Sequence, residues 1–296
     1  MSKLKILVAT HQKDILFNDD IYMPIQVGKS LSNTDFGIQG DNTGDNISAK
    51  NPYYCELTSL YWAWKNLQDF DYIGLCHYRR YFDFSFVPFL MKEEENVTID
   101  YLMNHKEMIT PPKSIENYDV ILPTSRPFTT NIITCHIINL NVIDISVLEK
   151  IILKLYPDYR SSLEYVFYHK QDVPQRNMFI MKKEFFDKYC DFLFSILFQV
   201  EKYIKLSPYK QFQRVFGYMG EILLPLFCYH NNLKINRRRI LFVTDTMENS
   251  SKLSTIKQNI INKVQFKVNN LSKKTNLISD VSEDLLRKEI PELFIE

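Results

Sequence analysis

The stretch Asp71-Tyr72-Ile73-Gly74-Leu75-Cys76-His77-Tyr78-Arg79-Arg80 decides how the rest of this 296-residue chain is read. Its first six residues make a short apolar run of the kind found in a strand buried on both faces. That run delivers a histidine and two adjacent arginines at its carboxyl end. Just upstream, from Tyr54 to Leu67, Leu57, Leu60, Tyr61, Trp64 and Leu67 recur at the three-and-four spacing of a helix with one buried side. A helix leading into such a strand belongs to an open α/β sheet, where ligands gather at the carboxyl ends of strands. A site at residues 77–80 is therefore expected.

Outward from this segment the same alternation continues. Residues 3–10 read as a second buried parallel strand, ending in Thr10 and His11. Residues 28–52 form a long polar loop, of a length that is commonly functional or disordered. Further strands are expected at residues 118–123, 177–181 and 234–243. Helices are expected within 145–170, at 183–203 and at about 212–228. The fold class is α/β, a mixed and mostly parallel sheet flanked by helices, with a single domain over residues 1–245.

Residues 246–296 differ and read as a basic, helical C-terminal extension. Between 250 and 279 there are six lysines and no acidic residue. Leu253, Ile256, Ile260, Val264, Val268 and Leu271 follow helical spacing there, so the helix is amphipathic. Two readings stay open: the apolar stripe packs on the domain, or it makes a weak contact with an anionic membrane surface.

Bulk composition narrows the class. At 45% hydrophobic and 24% charged residues the chain can bury a sizeable core without staples. A net charge of +1 gives no reason to expect nucleic acid as a partner. The five cysteines are scattered without a CxxC pair or zinc spacing, so free thiols are expected. No leader is legible at the start, and the longest apolar stretches, 192–200 and 222–229, fall far short of the ~20 residues that cross a bilayer. A cytoplasmic location is expected, at most peripheral on the inner face of the cell membrane. P-loop, GxGxxG and GxSxG patterns are absent, which argues against NTPases, dinucleotide enzymes and serine hydrolases.

The residues themselves point to anion handling. His77, Arg79 and Arg80 at a strand end converge donors and fixed cations, and guanidinium groups match phosphate oxygens in pairs. A surface arginine pair with acidic neighbours is the competing interpretation. Asp45, Asn46, Lys50 and Asn51 precede a helix start, where anions and ribose hydroxyls are well received; a solvated, capped loop would look the same. Arg176 and Asn177 precede a buried strand and so fall beside the same crevice. Glu221 is a lone carboxylate in an apolar helical context, suited to a base, although a plain salt bridge to Arg214 explains it equally well.

Taken together, Asp45-Asn46-Ile47-Ser48, Lys50-Asn51, Glu56-Leu57-Thr58, Tyr61-Trp62-Ala63-Trp64-Lys65-Asn66, Asp71-Tyr72-Ile73-Gly74-Leu75, His77-Tyr78-Arg79-Arg80 and Asn177-Met178-Phe179-Ile180-Met181 resemble a known family. It comprises the bacterial capsular and exopolysaccharide glycosyltransferases long catalogued as a domain of unknown function. The resemblance covers residues 3–245. It implies a GT-A-like, Rossmann-like fold and an inverting transfer of a sugar, galactofuranose, from a UDP-sugar donor. The acceptor it implies is a saccharide or lipid-linked saccharide of a growing surface polysaccharide.

By the same resemblance His77, Arg79, Arg80, Lys50, Asn51, Asp45, Asn46, His11 and Thr10 hold the donor and its diphosphate. Arg176, Asn177 and Glu56 lie near the sugar and acceptor, and Glu221 falls where inverting GT-A enzymes place their base. One departure stands out. GT-A enzymes commonly carry Asp-x-Asp after this strand to hold a divalent metal, whereas this chain has His77-x-Arg79. Cations there neutralise a diphosphate directly, so no metal cofactor is expected to be required. Mn²⁺ or Mg²⁺ held by Asp41 or Asp45 is the alternative. Rival functions are a non-catalytic carbohydrate-binding or assembly protein of the capsule machinery, and a glycoside hydrolase, which would need a second acid facing Glu221.

Overall fold

The computed structural model describes residues 3–85, 93–125, 127–137, 139–172, 174, 176–246, 252–270 and 276–295. Among the described residues ten strands form one mixed sheet: β1 (Leu4–Thr10), β2 (Tyr22–Gln26), β3 (Gln39–Gly40), β4 (Tyr72–His77), β5 (Arg80–Phe82), β6 (Glu94–Val97), β7 (Val120–Pro123), β8 (Phe179–Lys182), β9 (Ile235–Arg238) and β10 (Ile240–Val243). The main order is β3-β2-β1-β4-β8-β7-β9, with β8 antiparallel to both neighbours. From the carboxyl end of β4 a short branch, β5-β10-β6, continues sideways.

The central strands are buried on both sides, and their residues alternate between two cores. Leu7, Ala9, Ile73 and Leu75 join the larger cluster. There they meet Leu57, Leu60 and Ala63 of the helix Leu57–Asn66, Phe186, Tyr189 and Leu193 of Lys183–Val200, and Phe216, Met219 and Leu223 of Val215–His230. Ile6, Val8, Tyr72 and Cys76 face the opposite way, toward Tyr22, Tyr81 and Phe82. This period-two alternation is what seats a helical layer on one face of a buried sheet. Gly74 permits the crossing of β8, because a Cβ there would lie 2.8 Å from Ile180 Cγ1 and 3.0 Å from the Phe179 carbonyl oxygen.

Three features differ from the sequence expectation. The helix expected to run on from Tyr54 is broken at Cys55 (φ 52°, ψ −133°), leaving Asn51–Tyr54 as a separate turn. The strand expected over 234–243 is two strands, since the chain leaves β7's side after Arg238 and joins β5 and β6 from Ile240. Arg239 anchors that crossing through Asp83 and, at 3.1 Å, Glu95. Within the loop 28–52, Asp41 is fully buried and accepts from Gly28 N, Lys29 N, Ser48 Oγ and Thr58 Oγ1. The loop is thus an ordered structure wound around one carboxylate. A bare carboxylate so occupied is a tie between segments and not an open metal ligand.

The extension contains a helix, Lys252–Asn270, and then residues 276–295, which fold back on the domain. Leu277, Leu286 and Leu293 are buried in the larger core. Among the described residues no helix is long and apolar enough to cross a membrane.

Candidate functional site

A crevice of about 460 Å³ opens at the carboxyl ends of β1 and β4. It is lined by Ala9, His11, Val27, Asn51, Pro52, Cys55, Glu56, His77, Tyr78, Arg80 and Arg214. The break at Cys55 is what turns the Cys55-Glu56 backbone into this space at the start of the helix Leu57–Asn66. Asn51 is held at the wall, its Nδ2 donating to the Cys55 carbonyl at 2.8 Å and to Thr58 Oγ1 at 3.2 Å.

The floor is built around Arg176 and Asn177, consecutive non-glycine residues in the left-handed region (φ 73° and 53°). Such backbone persists only when its surroundings over-determine it. Here His77 Nε2 donates to the Arg176 carbonyl at 2.7 Å, and Arg176 Nη1 pairs with Glu94 at 2.5 Å. Asn177 Nδ2 donates to Glu56 Oε1 at 2.7 Å and to the Gly217 carbonyl at 2.9 Å. The glycines of Gly217-Tyr218-Met219-Gly220 make this possible. A Cβ on Gly220 would sit 2.7 Å from Asn177 Oδ1, and one on Gly217 would sit 3.1 Å from Cys55 Sγ.

Two buried polar atoms in this place have no hydrogen-bond partner among the described residues: Asn177 Oδ1 and Arg80 Nε. Such atoms are uncommon, and each calls for an explanation. Arg80 lies over the Phe242 ring at 4.4 Å, and its charge is opposed by burial first and by Arg176 second. An arriving anion would relieve both penalties. His11 stands opposite, edge-on to Tyr78 at 5.3 Å, with its pKa lowered by burial and then by Arg214, His77 and Arg79. Arg214 reaches in from before Val215–His230, its Nε 3.3 Å from Cys55 Sγ. Burial pushes the Cys55 thiol up to about 11, so it is a neutral wall group and not a nucleophile at pH 7.

The lining thus brings together His11, Asn51, Glu56, His77 and Arg80 from the residues singled out in the sequence, with Arg176 and Asn177 behind it, joined through His77 and Glu56. Others lie elsewhere. Arg79 sits in the two-residue turn between β4 and β5, half exposed, 3.7 Å from Asp14. Lys50 is paired with Glu201 at 2.5 Å. Asp45 is held at the far end of the helix Leu57–Asn66 by Asn66 and by Tyr61 Oη at 3.2 Å. Asn46 caps its own loop through Ser48 N. Thr10 is fully buried, its Oγ1 donating to the Gln12 carbonyl at 2.5 Å. Glu221 is outside the lining; it is one turn beyond Gly217 on the same helix face, 3.9 Å from His136 Nε2.

Sequence reasoning missed Arg214 and Cys55 as lining residues. Their legible signal was the Gly217-x-x-Gly220 spacing, which marks a helix face that packs closely against another backbone. Among the described residues no group of three His, Cys, Asp or Glu side chains that could hold a metal ion is present at the Asp-x-Asp position or elsewhere. His77 Nε2 donates to a carbonyl, one Glu56 oxygen accepts from Asn177, and Glu94 pairs with Arg176.

A family model described as a domain of unknown function, DUF4422, matches residues 5–232. The chain belongs to the DUF4422 family. No curated protein matches it. Among solved structures it is similar to the apo structure of the WbbM bifunctional glycosyltransferase, at 32% identity and a TM-score of 0.75. The match covers 82% of this chain and 46% of that one, so this DUF4422 chain spans about half the length of its structural relative. The shared architecture is the GT-A-like α/β fold of a glycosyltransferase.

Proposed function

We propose that this chain is a sugar-nucleotide glycosyltransferase unit whose donor diphosphate binds in the crevice against Arg80, with His11, His77 and Arg214 around it. The observation that carries this reading is Arg80 Nε, a buried polar atom without a partner among the described residues, on a side chain that lines the crevice. A diphosphate supplies acceptors for it. The likeness to a bifunctional glycosyltransferase supports the reaction class. The finer reading is transfer of galactofuranose from its UDP donor, with inversion, to a saccharide or lipid-linked saccharide of a bacterial surface polysaccharide.

In that reaction the acceptor oxygen bonds to the anomeric carbon as the bond to the diphosphate oxygen breaks. The electron pair leaves with UDP, whose growing charge Arg80 and Arg214 stabilise. The acceptor proton passes to Glu221, which lies on the helix that backs the floor. Glu56 is placed to hold Asn177 and, through it, the donor sugar.

The test is an incubation with UDP-galactofuranose and a galactose-terminated oligosaccharide, following UDP release and product mass together. UDP release with a product one hexose heavier supports the transferase. Free galactose without acceptor elongation supports hydrolysis, and no UDP release with tight saccharide binding supports a carbohydrate-binding protein.

A further inference from the structure

The helix Lys252–Asn270 is mounted with its polar side inward. Asn262 is buried (8% exposed) and donates through Nδ2 to the Pro127 carbonyl at 2.9 Å. Asn259 Nδ2 donates to Glu93 at 2.8 Å, and Asn269 Nδ2 donates to the Thr129 carbonyl at 3.1 Å. At 100° per residue, Ile260 and Val264 stand about 160° from Asn262 around the helix, and Val268 about 120°. All three face away from the domain, at 58%, 56% and 62% exposure, with Ile261 beside them at 37%. An ordinary amphipathic surface helix turns its apolar stripe to the core, whereas here the inward half carries the asparagines and, about 40° from Asn262, the partly buried Phe266.

Lys257, Lys263 and Lys267 share that outward half and are exposed. Residues 250–279 contain no aspartate or glutamate to offset them. An apolar ridge edged by lysines, with no acids, complements one kind of surface in both respects: acyl chains at the level of the ridge and anionic headgroups at the level of the amines. A second copy of the same face would match the ridge and oppose its own charge. We propose that Lys252–Asn270 is an interfacial helix that lays Ile260, Val264 and Val268 on an anionic phospholipid surface, held there by Lys257, Lys263 and Lys267. The asparagine contacts set the helix parallel to the domain face, so the domain rides on the lipid through its inward side. The proposal stands apart from the transferase reading and survives its failure.

The experiment is flotation of the full chain with vesicles of equal phosphatidylglycerol and phosphatidylcholine, and with phosphatidylcholine alone, at low and high salt. Retention is expected on the anionic vesicles at low salt and is lost on the neutral ones. Lys257→Glu with Lys267→Glu should abolish it, each lysine contributing about fivefold in affinity. Ile260→Ser with Val264→Ser and Val268→Ser should also abolish it, while the melting temperature stays close to that of the parent because these side chains are more than half exposed. No retention of the parent chain overturns the proposal. So does full retention by the serine variant, which would leave charge alone as the cause. A parent dimer in sedimentation that the serine variant converts to monomer likewise overturns it in favour of self-association.

Discussion

Two buried carboxylates, Glu56 in the crevice and Glu149 beneath the C-terminal residues, sit in opposite surroundings. Glu149 is wholly enclosed and pushed up in pKa by burial, and both its oxygens are used. Tyr168 Oη donates to one, and Ser279 N donates to the other at 2.8 Å. Around it Lys150 pairs with Glu283 at 2.7 Å, and Leu277, Leu286 and Leu293 fill the core. Glu56 instead holds Asn177, which keeps an unpartnered Oδ1, on a backbone with two left-handed residues, beside an arginine whose Nε is also unpartnered. Burial of charge is common to both regions. What separates a tie from a site is whether the polar groups are already spent on each other.

Variants in the two regions should therefore fail in different ways. The largest effect belongs to Glu221→Gln, which keeps shape and hydrogen bonding but removes basicity. Its kcat should fall by roughly 10²–10⁴ with UDP binding intact, measured at saturating donor and acceptor. If Glu56→Gln shows the larger kcat loss, the base is the carboxylate in the crevice and Glu221 is structural. Next, Leu286→Ala in the C-terminal region should cost about 2–5 kcal/mol in urea unfolding, while the folded protein's UDP affinity is unchanged. A change in UDP affinity would couple the two regions and break the comparison.

Gly220→Ala is smaller and falls between the two. Its Cβ would crowd Asn177 Oδ1 at 2.7 Å, so a loss of about 1–3 kcal/mol in stability should come with weakened donor binding. The smallest effect concerns Asp144, whose carboxyl burial pushes up to about 6. Because the folded pKa lies above the ordinary value near 3.9, the ionised group opposes folding above about pH 6, and that cost disappears as pH falls toward 4. Asp144→Asn should thus raise the melting temperature at about pH 8 and not at about pH 4. Equal shifts at both would show that the carboxylate's charge is not the cause.

The main strands and helices were legible because apolar periodicity reports burial directly, as in residues 72–77 and 183–200. The split of 234–243 was not, because β9 and β10 are separated by one residue and part only through Arg239's ion pairs. In the crevice, residue type pointed to His77, Arg80 and Asn177, but it could not divide Arg79 from Arg80. A two-residue turn leaves one arginine half exposed beside Asp14 and turns the other into the crevice with its Nε enclosed. Lys50 and Asp45 looked equally suited to a ligand; their partners Glu201 and Asn66 are 151 and 21 residues away. The outward ridge of Lys252–Asn270 was visible as a stripe, while the side it faces depended on three asparagine contacts far off in the chain.

The claim that the crevice is a donor diphosphate site is tested most directly by UDP affinity, measured calorimetrically on the parent chain and on Arg80→Ala. Arg80 supplies a guanidinium in the crevice lining whose enclosed Nε is unpartnered among the described residues, so its loss should weaken UDP binding by about 1.5–3 kcal/mol, or roughly ten- to a hundredfold, in a protein that still unfolds cooperatively. Arg79→Ala, at the half-exposed turn, should weaken it far less. Equal affinity in the parent and Arg80→Ala, or a greater loss from Arg79→Ala, would contradict the account.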